Sequence, residues 1–361
     1  MRRLLGSLDL GTGGIALALA SAGLLAIASA TADQAGREGL WKMQLAWIAI
    51  ACTVAIVIAV VDYHIWASVA LLLHAVAIAL LVAVLFVGRE VGGNQSWLVF
   101  GPLRLQPSEF AKWTTCLVCA GYLATRGQAG IGLRQMVELG VLVGTPTALI
   151  ALQPDFGTAL IFGPVYLAAV WLGGLRWRVI GGVLLVGVLL APVGWTQLKS
   201  YQKERILAVL DAERDPAGVG YQVRQSKIAI GSGGLAGKGL FQGTQSQLNF
   251  LPAQHTDFVL AVIAEELGFF GACAVLGLFL ALLNRGIGAA SRSQDRLGTY
   301  VCLLIVAWLA TQMAINIGMV LGRLPTIGVP LPLVSYGGSA LVAAMAAVGL
   351  LMNVRSRRFV N

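Results

Sequence analysis

The stretch LPAQHTDFVLAVIAEELGFFG, residues 251–271, carries three carboxylates where a polar loop runs into a long apolar segment. Asp257 lies at this boundary, and Glu265 follows eight residues later, too far along a helix for the two side chains to touch. An ionisable group at the edge of a hydrocarbon layer is costly unless it is paired, solvated or used. Asp257 is therefore a candidate functional carboxylate, or else the cap of the helix that follows.

A second polar group opens another apolar segment, at LRLQPSEFAKW. Glu109 and Lys112 are three residues apart, so on a helix they share a face and can form an ion pair. Arg104 and Ser108 widen the polar patch just before them. Because arginine offers a bidentate fork and lysine a point charge, the patch could bind an anionic group such as pyrophosphate. A local ion pair that reaches the membrane interface is the alternative interpretation.

The remaining candidates are weaker on their own. His255 is either a pH-sensitive acid or base or a plain structural residue, and Gln254 stands next to it. Asp155 lies in the turn QPDFGT, where aspartate is common. Lys238 follows a glycine-rich run that resembles a phosphate-binding loop only loosely. The other polar candidates, in the turn SYGGS before the last apolar segment, are Ser335 and Tyr336.

The composition places these residues in a membrane protein. Of the 361 residues, 58% are hydrophobic and only 11% are charged, whereas about 25% are charged in typical soluble domains. The net charge of +9 does not indicate nucleic-acid binding, because the basic residues are scattered and form no stripe with interleaved aromatic residues. The five cysteines all lie in apolar segments, and no Cys, His and Asp residues have the spacing of a structural metal site.

Apolar runs of about 20 residues predict ten membrane-spanning helices. They lie at roughly 13–31, 43–61, 65–87, 109–124, 135–152, 157–173, 177–196, 257–283, 298–321 and 334–353. An even number of spans puts both termini on one side. The short loops and tails on that side hold twelve basic residues, against six in the short connections opposite, so the positive-inside rule makes both termini cytoplasmic. The predicted fold class is an all-α polytopic membrane protein forming a single domain, 1–361.

Three connections on the predicted outer side are too elaborate to be simple turns. Residues 88–108 fit a short interfacial or re-entrant piece. Residues 197–256 form a large extracytoplasmic loop between spans seven and eight, with an amphipathic helix at 199–215 and a helix of about eight residues after it. Residues 322–339 contain three prolines and four glycines, a backbone that membrane depth tolerates only where it is buried in protein or lines a cavity.

Four long segments carry a resemblance to a known family. They are GNQSWLVFGPLRLQPSEFAK, QPDFGTAL, GYQVRQSKIAIGSGGLAGKGLFQGTQSQLNFLPAQHTDFVLAVIAEELGFFG and NIGMVLGRLPTIGVPLPLVSYGGS. Over essentially its whole length the chain resembles the SEDS family (shape, elongation, division, sporulation). The forms GTQSQLNFLP and GVPLPLVSYGGS are similar to its cell-elongation members rather than to its cell-division members. Ala253 and Gln254 depart from the family, which often has a charged residue there.

The resemblance implies a peptidoglycan glycosyltransferase of the bacterial cytoplasmic (inner) membrane that polymerises lipid II on the extracytoplasmic side. The family's essential aspartate maps onto Asp257, which we expect to be the base in an inverting transfer to the acceptor 4-hydroxyl. Positive charge must stabilise the departing pyrophosphate, and we expect Lys112 to supply it. The expected helpers in this role are Arg104, Arg224, Lys227 and Lys238. Implied partners are a class B penicillin-binding protein, other elongation-machinery proteins and membrane lipids, with no nucleic acid.

Several alternatives stay open at this point. Glu109 could orient Lys112, or it could join Asp155 and Asp257 in binding Mg²⁺ or Mn²⁺; the reaction does not otherwise require a cofactor. The ten-span architecture also permits a lipid II flippase, although most polar candidates lie at one depth, with His74 and Glu265 as exceptions. A non-catalytic scaffold for the penicillin-binding protein would leave the polar cluster without a purpose.

Overall fold

The computed structural model describes residues 9–32, 39–91, 94–101, 103–126, 131–174 and 218–357, with isolated positions between 181 and 207. These residues form a mainly helical chain. In order, its elements are α1 Leu10–Ala30, α2 Leu40–Val60, α3 Tyr63–Ser68, α4 Ala70–Val87, β1 Arg89–Val91, β2 Asn94–Phe100, β3 Leu103–Leu105, α5 Pro107–Thr125, α6 Leu133–Leu152, α7 Phe156–Leu172, α8 Val219–Gly233, α9 Thr244–Gln247, α10 Val259–Ser291, α11 Arg296–Val320 and α12 Gly338–Ser356.

Seven of the described helices are long and apolar enough to cross a membrane, namely α1, α2, α4, α6, α10, α11 and α12. Each corresponds to one predicted span. The fourth predicted span is helix α5, which carries a buried ion pair in its first turns, and the sixth is the shorter apolar helix α7. The seventh predicted span at 177–196 and the amphipathic helix at 199–215 lie outside the described residues, apart from isolated positions.

Within residues 88–108, the stretches Arg89–Val91, Asn94–Phe100 and Leu103–Leu105 form a three-stranded antiparallel sheet in the order β1-β2-β3, so the all-α expectation is wrong there. Ser96 and Leu98 of β2 are buried, while the residues between and beside them are only partly buried. This period of two residues is typical of a strand with one face against the protein.

The described part of the predicted large loop, residues 218–256, is anchored at a kink in α10. Helix α8 has 15 residues, about twice the predicted length. Gly268 interrupts α10 with φ 69° and ψ −164°, which frees backbone groups to bond the loop. The Phe269 N–H donates to the Gly234 carbonyl at 2.9 Å, and the Gly239 N–H donates to the Glu266 carbonyl at 2.9 Å. The loop therefore docks on α10 through backbone hydrogen bonds.

The proline- and glycine-rich segment before α12 is packed inside the helices. A Cβ at Gly23 of α1 would lie 2.1 Å from the Val334 carbonyl oxygen, and one at Gly157 of α7 would lie 2.2 Å from the Ile327 carbonyl oxygen. Both helices approach the segment so closely because these positions have no side chain. Val329 and residues 331–335 of the segment are buried, whereas Arg323, Leu324 and Gly328 are exposed, so burial of this backbone is confirmed only for its second half.

Candidate active site

Asp257 lies in a turn immediately before α10. Its backbone N–H donates to the Ala253 carbonyl at 3.1 Å. The helix begins at Val259, two residues later than predicted, and its cap position is Phe258, which provides no capping side chain. The cap position of α10 is therefore Phe258 rather than Asp257. The Asp257 side chain is partly buried. Its Oδ2 would lie 3.7 Å from a Cβ if Gly328 had one. The carboxylate therefore faces the backbone of the proline- and glycine-rich segment at Gly328.

The residues just before Asp257 are fastened to the turn that precedes α12. The Tyr336 N–H donates to the His255 carbonyl at 2.9 Å, and the Ser335 hydroxyl donates to the Thr256 carbonyl at 2.5 Å. The same Ser335 oxygen accepts the Leu331 N–H at 2.8 Å. The rings of His255 and Tyr336 meet edge to face, with centroids 5.7 Å apart. Through these contacts Ser335 and Tyr336 hold the turn that carries Asp257 in place.

Gln254 supports the same turn from the opposite side. Its side chain is 1% exposed, and Nε2 donates to the Ala30 carbonyl at 2.7 Å and to the Ser246 carbonyl at 3.0 Å. The amide thus joins the end of α1 to helix α9 and to the start of the turn.

The predicted ion pair between Glu109 and Lys112 is confirmed. Lys112 Nζ lies 2.9 Å from Glu109 Oε1, and the two side chains are only 2–3% exposed. The ammonium also donates to Gln312 Oε1 at 2.9 Å and lies 5.4 Å from the centroid of the Trp308 ring. A buried lysine with these partners is neutralised locally, so it does not reach an aqueous interface as the local-pair alternative supposed.

Asp155 caps α7 and lies near the ion pair. Its side chain accepts the Thr158 N–H at 3.2 Å and the Gln106 amide at 3.1 Å. Burial raises the pKa of Asp155; the negative charge of Glu109 adds to this effect and the positive charge of Lys112 opposes it. Asp155 therefore lies close enough to Glu109 and Lys112 for the charge of each to act on it.

Arg104 and Ser108 flank this region differently. Arg104 is exposed, and its carbonyl accepts a hydrogen bond from the Ser339 hydroxyl at 3.3 Å. Burial raises the pKa of Tyr336, and the positive charge of the Arg104 guanidinium opposes this rise. Arg104 is therefore near the turn before α12. Ser108 is fully buried, and its hydroxyl has no hydrogen-bond partner among the described residues.

Glu265 and Lys238 bind each other at the loop that docks on α10. Lys238 Nζ lies 2.7 Å from Glu265 Oε1, and the Glu265 side chain is fully buried. The same carboxylate accepts backbone N–H groups from Gln245 at 2.9 Å and Ser246 at 3.3 Å, near the start of α9. Glu265 thus holds the loop against α10. Lys227 on α8 is exposed, and its Cε would lie 2.5 Å from a Cβ if Gly322 had one. The lysine side chain therefore lies against the backbone of Gly322.

The carboxylates proposed as metal ligands do not form a metal site. In the part of the chain that the structure describes, no three His, Cys, Asp or Glu side chains are grouped to hold an ion. Glu109 is bonded to Lys112, and Asp155 is bonded to Thr158 and Gln106. Among the described residues, Glu109, Asp155 and Asp257 therefore do not form a ready-made group of three protein ligands for Mg²⁺ or Mn²⁺.

Two amide side chains of α11 were not identified from the sequence. Gln312 bonds Lys112, and Asn316 Nδ2 donates to the Asp257 carbonyl at 2.9 Å. Both are buried and four residues apart, so they lie one above the other on a helix face. The signal available in the sequence was a pair of amides at this spacing inside an apolar span, ATQMAINIG.

Comparisons with known proteins identify the family. The model of the cell cycle protein family FtsW/RodA/SpoVE matches residues 13–359. The chain is 42% identical over 321 residues to peptidoglycan glycosyltransferase MrdB of Escherichia coli K12, covering 89% of this chain and 86% of that protein. It is 37% identical over 351 residues to probable peptidoglycan glycosyltransferase FtsW of Trichlorobacter lovleyi, covering 94% and 90%.

Solved structures share the fold over nearly the whole chain. A chain from a peptidoglycan synthase complex that coordinates polymerization and crosslinking matches with a TM-score of 0.83 and 31% identity, covering 98% of this chain and 99% of that chain. The rod shape determining protein RodA of Thermus thermophilus matches with a TM-score of 0.74 and 29% identity, covering 98% of both chains. The expectation drawn from the sequence motifs is confirmed: the chain belongs to the FtsW/RodA/SpoVE (SEDS) family.

Proposed function

We propose that this chain polymerises peptidoglycan glycan strands from lipid II, by an inverting transfer that forms β-1,4 links and releases undecaprenyl pyrophosphate. The enzyme class is supported by relatives named peptidoglycan glycosyltransferase. The observation that carries the mechanism is the Asp257 carboxylate, which is partly buried and faces the Gly328 backbone. A base held in this way needs little reorganisation when substrate binds.

In the proposed mechanism Asp257 removes the proton from the acceptor 4-hydroxyl. The acceptor oxygen attacks the anomeric carbon of the donor from the face opposite the pyrophosphate, so the α link breaks as the β link forms. One displacement of this kind needs no covalent enzyme intermediate. Positioned proton transfer of this type contributes typically about 10²–10⁴-fold to a rate.

The pyrophosphate is stabilised by exposed cations rather than by the paired lysines. Lys112 and Lys238 are each bonded to a glutamate, so their charge is already balanced. Arg104, Arg224 and Lys227 are exposed, and the last two lie three residues apart on α8, where they share a face. We assign the pyrophosphate to these three residues. The mechanism routes no step through a divalent cation.

The reaction takes place on the extracytoplasmic side of the bacterial cytoplasmic membrane. The distribution of basic residues supports this orientation, with both termini inside. A crosslinking partner of the class B penicillin-binding type is supported by the match to a synthase complex that coordinates polymerization and crosslinking. Apolar faces of α10 and α11 are the surfaces we assign to this partner.

The test is glycan polymer formation from lipid II by purified, reconstituted protein with its partner. Asp257→Asn should lower turnover by about 10² or more. The matched control is Asp295→Asn, an aspartate that caps α11 at the opposite end of the bundle; its turnover should stay near that of the wild type. Wild-type turnover in Asp257→Asn would remove Asp257 from the role of base. Translocation of lipid II supplied on one side, without any polymer, would instead support the flippase.

A further inference from the structure

We propose that Gln312 and Asn316 of α11 are positioning residues, which fix the Asp257 turn and the segment that faces its carboxylate against α11. The inference rests on the proposed function, in which Asp257 is the base. It assigns a task to two residues that carry no charge.

Asn316 holds both the residue that bears the carboxylate and the backbone that the carboxylate faces. Its Nδ2 donates to the Asp257 carbonyl at 2.9 Å and to the Val329 carbonyl at 2.8 Å. Val329 follows Gly328, whose Cβ position lies 3.7 Å from Asp257 Oδ2. One amide group therefore fixes the Asp257 turn and the opposing segment at the same time.

The other end of the Asn316 side chain indicates that packing alone does not explain this residue. The side chain is fully buried, and Oδ1 has no hydrogen-bond partner among the described residues. A buried acceptor without a partner is unfavourable, and an apolar residue of the same shape would avoid that cost. The amide is thus placed for its two donated hydrogen bonds.

Gln312 makes the corresponding contacts one helical turn away. Its Oε1 accepts from Lys112 Nζ and from Trp308 Nε1, both at 2.9 Å, and Nε2 donates to the Pro330 carbonyl at 3.0 Å. The carbonyls held by the two amides, of Val329 and Pro330, are consecutive along the chain. The buried segment is therefore pinned to α11 at adjacent residues.

The two amides connect the charged groups through a rigid element. Four residues of α-helix rise about 6 Å, so the contacts to Lys112 and Asp257 are separated by one turn. Misplacing a catalytic group by about 1 Å can cost 10²-fold in rate, which is the scale on which such positioning matters.

The experiment compares Asn316→Leu and Gln312→Met with a matched control, Asn353→Leu. Asn353 is also a fully buried asparagine, and it lies near the C-terminal end of α12, opposite the end that follows Ser335 and Tyr336. Its Nδ2 donates to the Ile58 and Val61 carbonyls. Thermal unfolding is measured for each variant, and kcat and KM are measured with lipid II. We expect Asn316→Leu to fold and to lower kcat by up to about 10²-fold with KM unchanged. Asn353→Leu should keep the wild-type kcat per folded molecule.

A non-additive double variant separates positioning from a general structural effect. If Asn316 acts through Asp257, adding Asn316→Leu to Asp257→Asn should cause no further loss of residual turnover. The inference is overturned if Asn316→Leu and Gln312→Met both keep wild-type kcat, if only KM changes, or if Asn353→Leu loses kcat equally. Gln312→Met decides the matter if Asn316→Leu does not fold. A fully active Asp257→Asn would overturn the proposed base itself, whatever the α11 variants do.

Discussion

Replacing Lys112 by methionine should destabilise the protein far more than replacing both members of its ion pair. The Lys112 and Glu109 side chains are 2% and 3% exposed, and Nζ lies 2.9 Å from the Glu109 carboxylate. Lys112→Met leaves that carboxylate buried without its counter-charge, which costs about 3–5 kcal/mol. At about 2 °C per kcal/mol for a large domain, Tm should fall by roughly 6–10 °C.

The double variant Glu109→Gln/Lys112→Met removes both charges and should recover most of the lost stability, because replacing a whole buried pair is often nearly neutral. The assay is thermal unfolding in detergent for the two single variants and the double variant. Lys238→Met is the control; Glu265 would keep its two backbone donors, so Tm should fall less. A wild-type Tm for Lys112→Met, or a double variant whose loss equals the sum of the singles, would refute the reasoning.

Two further predictions concern the docking of the loop on α10 and the contacts of His64 with Asp62 and Asp295. Gly237→Ala should lower Tm, because a Cβ there would lie 2.1 Å from the Glu266 carbonyl oxygen and the φ of Gly237 is +83°. Gly231→Ala on α8 is the control and should leave Tm unchanged, because a Cβ there would have no atom within 4 Å. Equal Tm values for the two variants would contradict the docking. Partial burial opposes protonation of His64, but hydrogen bonds and charges from Asp62 and Asp295 outweigh it and raise the pKa of His64. The contacts of protonated His64 with Asp62 and Asp295 stabilise the fold fully below about pH 6.5, and this stabilisation is lost as pH rises through the raised pKa. The Tm advantage of the wild type over His64→Gln should therefore shrink as pH rises. An advantage that grows with pH would contradict this reasoning.

The sequence was sufficient where the signal is local. The spacing of Glu109 and Lys112 predicts a shared helix face, and the structure has them paired. The sheet at 89–105 was missed because its strands are short and its alternation is visible only over a few residues. Glu265 was a candidate from the sequence, but its partner Lys238 is set by how a glycine-rich loop folds back onto α10. Periodicity in the sequence carries no information about such a return.

The pairing of charges decides which groups are left to act on a substrate. Lys112 and Lys238 are held by glutamates, so in the proposed mechanism the exposed Lys227 serves the pyrophosphate. Lys227 lies against Gly322, and Gly328 of the same segment faces Asp257. Six residues span at most about 20 Å, so the two functional groups lie at the ends of one short segment. Because Gln312 and Asn316 bond the carbonyls just after Gly328, the rigid α11 helix fixes the end of that segment where the proton is removed.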